Sequence, residues 1–448
     1  MPEPAAPDGR GADERESLEG TGAVPVVPGA TRGPVDVPIA PRATSARGPA
    51  EPTVTERIPP EIWTLLVATF FMAIGFGLIV PVLPQYANSF GVGATLVAVV
   101  VSAFAFMRFV SAPLGGSLVN RLGERPVYVV GMLLVAASTF ATAFAEAYWQ
   151  LLLFRGLGGI GSVMFSIAAS GLLVRYAPPS LRGRVSALWG GMFLVGNITG
   201  PLFGGLLGQF GMRVPFLVYA ATLVVSALIV AVFLRPGAVR GAGGPAASAP
   251  PRRLAEALRV PAYRAALVGG IANGWANFGV RSAVVPLFVA AVVSSEPWIA
   301  GLVVAVTAVG NVLALQWSGR AADRIGRRPL MLWGTGIAVV AMLVLVFTGD
   351  LVTLLVSGFV AGIGAGIAAP AQQAVVADVV GYGRSGGQVL STFQMAQDFG
   401  TIVGPVVTGL VIDALGYGWG FGVAAAVLFL SFLMWFPARE TLQKPDAR

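Results

Sequence analysis

Twelve long apolar runs dominate this sequence of 448 residues. Each run is long enough to cross the hydrocarbon core of a bilayer, which takes about 20 helical residues. A closed β-barrel is excluded because the runs are continuously apolar and do not alternate. The sequence therefore predicts an all-α membrane protein with twelve transmembrane helices, at residues 62–84, 94–116, 126–146, 149–174, 185–208, 214–234, 264–290, 298–318, 329–348, 351–375, 390–412 and 418–436.

The composition also indicates that most of the surface faces lipid. Hydrophobic residues make up 56% of the chain and charged residues only 11%, whereas soluble domains carry about 25% charged residues. The net charge of +8 comes from arginines placed between apolar runs, not from a basic stripe, so nucleic acid is not expected as a partner. Cysteine and histidine are absent, which excludes disulfides, thiol catalysis and the common metal sites, and no metal site is predicted.

The positions of the arginines predict the orientation, and the composition along the chain predicts the division into domains. Arginines concentrate in loops on one side: Arg121, Arg125, Arg175, Arg182, Arg184, Arg320, Arg324, Arg327, Arg328 and Arg384. By the positive-inside rule, both termini are expected in the cytoplasm of a cell whose plasma membrane holds the protein. The predicted parts are a disordered tail (1–60), a six-helix bundle (61–234), a linker with a short amphipathic helix (235–263), a second bundle (264–436) and a C-terminal tail (437–448).

Three sequence patterns occur twice at nearly one separation. GSLVNRLGERP at 116–126 matches GRAADRIGRRP at 319–329, and GNITGPLFGG at 196–205 matches GTIVGPVVTG at 400–409; Gly159-Ile-Gly161 matches Gly362-Ile-Gly364. The separations are 203, 204 and 203 residues. Two parallel repeats about an axis normal to the membrane are typical of secondary transporters. The fold is therefore predicted as two pseudo-symmetric six-helix bundles that expose a shared midplane site to alternate sides.

From about residue 60 to residue 436, these patterns resemble the major facilitator superfamily. The basic turns resemble its signature between the second and third helices, although Asn120 replaces an acid and Glu124 replaces a basic residue in the first copy. Arg155 resembles the fourth-helix motif associated with proton coupling. The motif at 196–205 is similar to that of drug–proton antiporters, which implies efflux driven by a proton gradient, with no other cofactor.

Two repeated motifs have candidate roles in gating and in helix bending. The basic turns either gate the cytoplasmic face or only signal topology; their residues are Gly116, Asn120, Arg121, Gly123, Arg125, Gly319, Asp323, Arg324, Gly326, Arg327 and Arg328. Their glycines are expected to permit a tight reversal and close helix approach. The Gly-Pro motif is either a bending point or ordinary small-residue packing; its residues are Gly196, Gly200, Pro201, Gly204, Gly205, Gly404 and Pro405.

Four charged residues fall within the predicted spans: Arg108, Arg155, Arg281 and Asp398. A charge at mid-bilayer costs about 3 kcal/mol on insertion scales, so it usually faces the interior and is paired. Arg108 and Asp398 lie at matching depths on helices 2 and 11, which face each other in the resembled fold. We expect an ion pair between them that forms when the cytoplasmic side closes, or else a static pair without a transport role. Asp398 is the first candidate for protonation.

The remaining charges point to the cargo. Arg155 and Arg281 fall on cavity-lining helices of the resembled fold. The three arginines within the spans, against one aspartate, favour an anionic, zwitterionic or neutral amphiphilic compound. Polar and aromatic residues within the spans are either substrate contacts or helix–helix hydrogen bonds: Trp189, Asn197, Asn273, Trp275, Asn277, Asn311, Gln316, Gln372, Gln373, Gln394 and Gln397.

No nucleotide-binding motif or catalytic constellation is present, so an enzyme is not expected. The expected activity is proton-coupled efflux of a small amphiphilic molecule by a monomer in the lipid bilayer. An importer or exchanger of a small anion or nutrient, and a non-transporting membrane sensor, remain alternatives.

Overall fold

The twelve apolar runs form twelve long helices in the computed structural model, which describes residues 58–178, 181–234, 253–347, 349–381 and 387–442. All twelve are long and apolar enough to cross a membrane, as predicted. They are α1 (Pro60–Ile79), α2 (Ala94–Leu122), α3 (Glu124–Ala143), α4 (Tyr148–Tyr176), α5 (Arg182–Gly208), α6 (Val214–Phe233), α7 (Pro261–Val293), α8 (Pro297–Arg324), α9 (Arg327–Val346), α10 (Leu351–Val380), α11 (Gly387–Leu415) and α12 (Tyr417–Met434).

Proline and glycine mark several helix ends. Proline occupies the first turn of α1, α7 and α8, where its missing N–H costs nothing. Gly123, Gly326 and Gly416 adopt positive φ angles of 85°, 119° and 90° and separate successive helices. A residue with a Cβ would be strained there.

The helix pattern repeats from one half to the other. Four helices of the first half, α2, α3, α4 and α6, have counterparts whose starting residues lie the same distance along the chain: 297 − 94, 327 − 124, 351 − 148 and 417 − 214 all equal 203. Within each half, the helices pack mainly on one another. The two halves meet where α2 packs on α11 and where α5 packs on α8.

Helix α7 departs from regular α-helical geometry. Residues Gly274–Val280 and Val289–Val293 form π-helical turns within it. A π-turn accommodates an extra residue and changes the direction in which the following side chains point, and such turns are frequent at functional sites. Arg281 follows the first π-turn directly. The apolar pattern of the sequence does not reveal this interruption.

Several predictions fall wholly or largely outside the described residues: the tail (1–60), most of the linker (235–263), the end of the C-terminal tail, and Arg384. Within the linker range, residues Leu254–Leu258 form a short helix. It lies inside the segment where the sequence predicts an amphipathic helix.

Candidate functional site

Each basic turn ties the third helix of its half to the end of the sixth. Arg125 donates a hydrogen bond to the carbonyl of Ala231, in the last turn of α6. In the second half, Arg328 donates to the carbonyls of Trp435 and Phe436 at 3.2 and 2.8 Å, just past the end of α12. Carbonyls at a helix C-terminus have no partner within the helix and favour a nearby cation. The two arginines therefore make equivalent contacts in both halves.

An ion pair joins each basic turn to the fourth helix of its half, but with opposite polarity. Glu124 accepts a hydrogen bond from Arg175 at 3.1 Å in the first half. Arg327 donates to Asp378, also at 3.1 Å, in the second. The positions are equivalent, since 327 − 124 and 378 − 175 both equal 203. Glu124 is therefore paired although it replaces a basic residue of the family motif. In the first half the acid lies on the turn and the arginine on the fourth helix, and in the second half these positions are exchanged.

The same reversal accounts for Asn120. In the second half, Asp323 lies one helical turn from Arg327 and pairs with it at 3.3 Å. The equivalent residues of the first half are Asn120 and Glu124. Two acids at this spacing would repel each other, and the amide of Asn120 avoids that repulsion.

The turns are shorter than the sequence indicates. Helices α2 and α8 continue to Leu122 and Arg324, so Gly116 and Gly319 lie inside helices. A Cβ added to either glycine would meet no described atom within 4 Å. The expectation that these two glycines permit a reversal or a close approach is wrong, because the chain reverses only at the next glycine of each copy, 123 and 326.

Gating by the basic turns stays a prediction. The contacts above join helices of one half, and none of them crosses to the other. Arg121 and Arg324, in the last turns of α2 and α8, have exposed side chains.

Glu440 adds a further tie to the second basic turn. Its carboxylate accepts hydrogen bonds from the backbone N–H groups of Arg327 and Arg328 at 2.9 and 3.0 Å, at the start of α9. Burial raises the pKa of Glu440, but the backbone N–H donors of this turn and of Thr441 and Leu442 lower it and prevail. An ionised carboxylate at a helix N-terminus is stabilising.

Reversing the first ion pair tests whether its polarity matters. We expect Glu124→Arg or Arg175→Asp alone to lower the free energy of unfolding by about 1–2 kcal/mol, because each places like charges at a half-buried contact. The double variant should recover most of that loss, since it reproduces the polarity of Arg327 and Asp378. Thermal unfolding of the four purified proteins measures this. Additive losses in the double variant would contradict the reversed-pair interpretation.

Small residues of the Gly-Pro motif allow α1 and α5 to touch backbone to backbone. A Cβ on Gly200 would lie 2.5 Å from the Cα of Gly77, and one on Gly196 would lie 2.5 Å from the carbonyl carbon of Ala73. In the second half, a Cβ on Gly404 would lie 2.8 Å from the Cα of Trp275 in α7. The predicted close packing is therefore present. Pro201 and Pro405 lie inside continuous helices, and a bending role stays a prediction.

The last glycine of each motif copy faces the other half. A Cβ on Gly205 would lie 2.8 Å from the Cα of Trp298 in α8, and one on Gly409 would lie 2.8 Å from the Cα of Thr95 in α2. Both contacts lie at the end of the bundle opposite the basic turns, which we call the far end. The two halves therefore meet at the far end at two close glycine contacts, Gly205 against α8 and Gly409 against α2, which we call the seams.

A carboxylate strengthens one of these seams. Asp413 near the end of α11 accepts hydrogen bonds from the N–H groups of Ala94 and Thr95 at 2.8 and 2.9 Å, and from the Thr95 hydroxyl. These N–H groups open α2 and have no partner within that helix. Asp413 thus caps a helix of the opposite half, and the far end is held closed by packing and by a charged cap.

A cavity of about 130 Å³ lies between the halves. Its wall comes from seven of the long helices, α1, α2, α4, α5, α7, α8 and α11, and from Val80 and Leu83 in the segment after α1, where a short helix spans Leu83–Asn88. Most of it is apolar, including the rings of Phe76, Phe104 and Phe278. The polar side chains in the wall are Arg155, Asn197, Arg281, Ser282 and Thr401.

The structure brings Arg155 and Arg281, one from each half, into the wall of this one cavity. Arg155 is only 7% exposed, and its Nε atom has no hydrogen-bond partner among the described residues. Its guanidinium carbon lies 4.6 Å from the centroid of the Phe104 ring, a cation–π contact. The described residues that line the cavity include no carboxylate.

Arg108 and Asp398 lie on helices that pack against each other, as predicted, but they do not form an ion pair here. Arg108 donates to the Ser162 hydroxyl at 2.6 Å, and Asp398 accepts from the Gln394 amide at 3.1 Å. The ion pairs within 4 Å between described residues do not include these two. They remain close enough for their charges to interact. Pairing in another state of the protein stays a prediction.

Most other predicted cavity residues contact neighbouring helices or their own helix. Trp275 donates to Thr408 at 3.0 Å, Gln372 donates to the carbonyl of Ala266 at 3.0 Å, and Asn277 donates to Asn273 at 2.6 Å. Asn311 lies where α8 meets α10, with its backbone against Gly362 and Gly366. Trp189 packs beside Phe193. Of the eleven predicted residues, Asn197 is the one among the described residues that line the central cavity.

Comparison with known proteins extends this description. The chain is 24% identical to the quinolone resistance protein NorA of Staphylococcus aureus (strain COL) over 360 residues, which is 79% of this chain and 90% of that protein. It is 33% identical to the class H tetracycline resistance protein of Pasteurella multocida over 174 residues, 38% of this chain and 43% of that one. A bacterial homologue of the human lysosomal transporter Spinster, solved in an inward-facing and unoccupied conformation, superposes with a TM-score of 0.72 at 18% identity. That superposition covers 88% of this chain and all of the other.

The sequence profile of the Major Facilitator Superfamily matches residues 65–294 and again 266–448. The two matches together include both six-helix halves, the two seams between them and the cavity that they enclose. This chain belongs to the Major Facilitator Superfamily of membrane transporters.

Proposed function

We propose that this protein exports a small amphiphilic compound across the plasma membrane in exchange for protons. The observation that carries the proposal is the cavity between the halves, whose wall combines aromatic rings with a few polar side chains. Such walls bind apolar molecules and orient them by their polar groups. The relatives named for quinolone and tetracycline resistance support the export of foreign compounds.

The two seams support the proposal of alternating access. The far end is held closed by Gly205, Gly409 and Asp413, while Arg108 and Asp398 are unpaired nearer the basic turns. We propose that a second state breaks the seams and forms the Arg108–Asp398 pair, so that the cavity opens at the far end. With the basic turns in the cytoplasm, the second state would open the cavity to the outside, and an inward proton gradient would make net transport outward.

Transport into proteoliposomes tests the proposed coupling. The full chain is reconstituted and supplied with a fluorescent quinolone or with the amphiphilic anion dansylglycine. For an antiporter, an acidic lumen should accelerate uptake several-fold over equal pH, whatever the orientation of the protein, and collapse of the gradient by nigericin should remove the effect. Liposomes without protein control for passive partitioning of weak acids and bases.

The direction of the effective gradient separates export from the second candidate function. The two cavity arginines favour an importer or exchanger of a small anion as that alternative. If an acidic medium drives uptake instead, the protein is a proton symporter and the export proposal is wrong. Uptake that needs the protein but ignores both gradients would rule out proton coupling.

A further inference from the structure

The cavity described above carries an unbalanced positive charge. Arg155 of α4 and Arg281 of α7 both lie in its wall, and neither makes an ion pair with a described carboxylate. Each of these unpaired cations loses hydration in a cavity of low dielectric. An anionic ligand would offset that loss, whereas a cationic ligand would add repulsion to it.

The surroundings of Arg155 indicate that its charge is directed at a ligand. This side chain is more than nine-tenths buried, yet its Nε atom has no partner. Buried polar groups are usually satisfied, and each exception needs an explanation. The ring face of Phe104 contacts the guanidinium and supplies no hydrogen-bond acceptor in the plane of that group. The in-plane N–H donors that remain match a carboxylate, which accepts two parallel hydrogen bonds from a guanidinium.

Arg281 complements Arg155 from the other half. Its side chain is partly exposed and lies directly after the π-turn of α7, which sets the direction in which it points. The rest of the wall is mainly apolar, with Phe76 and Phe278 among its rings. A ligand that satisfies every part of this wall therefore has one anionic group and an aromatic or aliphatic body.

We propose that the cargo is an amphiphilic organic anion whose carboxylate or equivalent acidic group is bound between Arg155 and Arg281. This inference rests on the proposed function and names the chemical class of its substrate. Because one arginine comes from each half, the bound anion links the two halves across the cavity. Occupancy of the site is thereby coupled to the relative position of the bundles.

A matched pair of fluorescent probes tests the proposal without any gradient. Dansylglycine carries a carboxylate, and dansylglycinamide has the same body with a neutral amide. We expect the purified full chain in nanodiscs at neutral pH to bind dansylglycine about tenfold or more tighter than the amide. Arg155→Gln and Arg281→Gln should each reduce this preference to about threefold or less by weakening binding of the anion alone. Arg281→Lys should keep part of the preference, since it retains the charge without the planar fork.

Two controls make the result decisive. Binding of dansylglycinamide reports whether each variant still folds its cavity, and Asn197→Ala, at a neutral side chain of the same wall, should weaken both probes to a similar degree. The proposal is overturned if the native protein binds both probes equally, prefers the amide or binds neither, or if the glutamine variants keep the full preference. The proposed function fails separately: a clear preference for the anion with no gradient-driven uptake would reject proton-coupled export and leave the anion site standing.

Discussion

Replacing Gly205 with valine is expected to slow transport several-fold or more while leaving both six-helix bundles folded. Gly205 lies on α5 at the far end, where a Cβ would be 2.8 Å from the Cα of Trp298 and 2.9 Å from the carbonyl oxygen of Pro297. Overpacking of this kind costs about 1–3 kcal/mol. In the proposed cycle this crowded contact exists only when the far end is closed, so the cost shifts the equilibrium between the two states by roughly fivefold to a hundredfold. A shift of this size slows the cycle, because one of the two states becomes less populated.

The chain itself provides the assay for this shift. It contains no cysteine, so Val304→Cys, in the wall of the cavity, introduces a single reactive thiol. We expect a membrane-impermeant maleimide added at the far side to label this thiol several-fold faster when Gly205→Val is also present. Gly409→Val should act in the same direction, because Gly409 occupies the equivalent position in the second seam. Unchanged labelling together with normal transport would show that the seams do not separate during the cycle.

The adjacent glycine provides a matched control. Gly204 is the neighbour of Gly205 on the same helix, but its Cβ would clash with the carbonyl group of Leu78 in α1, inside its own half. Gly204→Val should therefore lower the unfolding temperature of the protein, with no selective rise in labelling. The same substitution at two successive positions then distinguishes a defect in movement from a defect in folding.

Much of the fold could be predicted because membrane helices leave a strong signal in sequence. Lipid requires about 20 apolar residues for each span, and the doubled motifs fix the division into halves. The reversed ion pair was also within reach of the sequence. The 203-residue offset makes Arg175 equivalent to Asp378 and Glu124 equivalent to Arg327. The fourth-helix partners, however, become evident only once the structure shows the pairs in contact.

The cavity was harder to predict, because its composition depends on the direction in which each side chain points. A continuously apolar helix has little periodic pattern from which to derive its rotation. Trp275 and Gln372 have the chemistry of a binding site, yet they form hydrogen bonds to neighbouring helices. Arg155 and Arg281 were easier to assign because a charge within a span almost always faces the protein interior.

Asp398→Asn is expected to remove the response of transport to a proton gradient while leaving exchange at equal pH. Asp398 lies on α11 close to Arg108 of α2, in the region where the two halves pack together. In the proposed mechanism, the ionised carboxylate attracts Arg108 and favours closure near the basic turns, and protonation removes that attraction. The asparagine variant resembles the protonated form at every pH, so a proton gradient can no longer change the charge at this position. Its gradient-driven uptake should fall to the rate measured at equal pH.

Two further variants separate coupling from stability. Asp350→Asn changes a carboxylate outside the spans that accepts a hydrogen bond from the backbone N–H of Thr353 at the start of α10, so its gradient response should match that of the native protein. Asp398→Glu keeps an ionisable group one methylene farther out and should restore part of the response. If Asp398→Asn retains native accumulation and pH dependence, Arg108 and Asp398 have no coupling role. Asp398 is the carboxylate that lies well inside a span among the residues described. The proton would then have to act on a group of another kind or at another place.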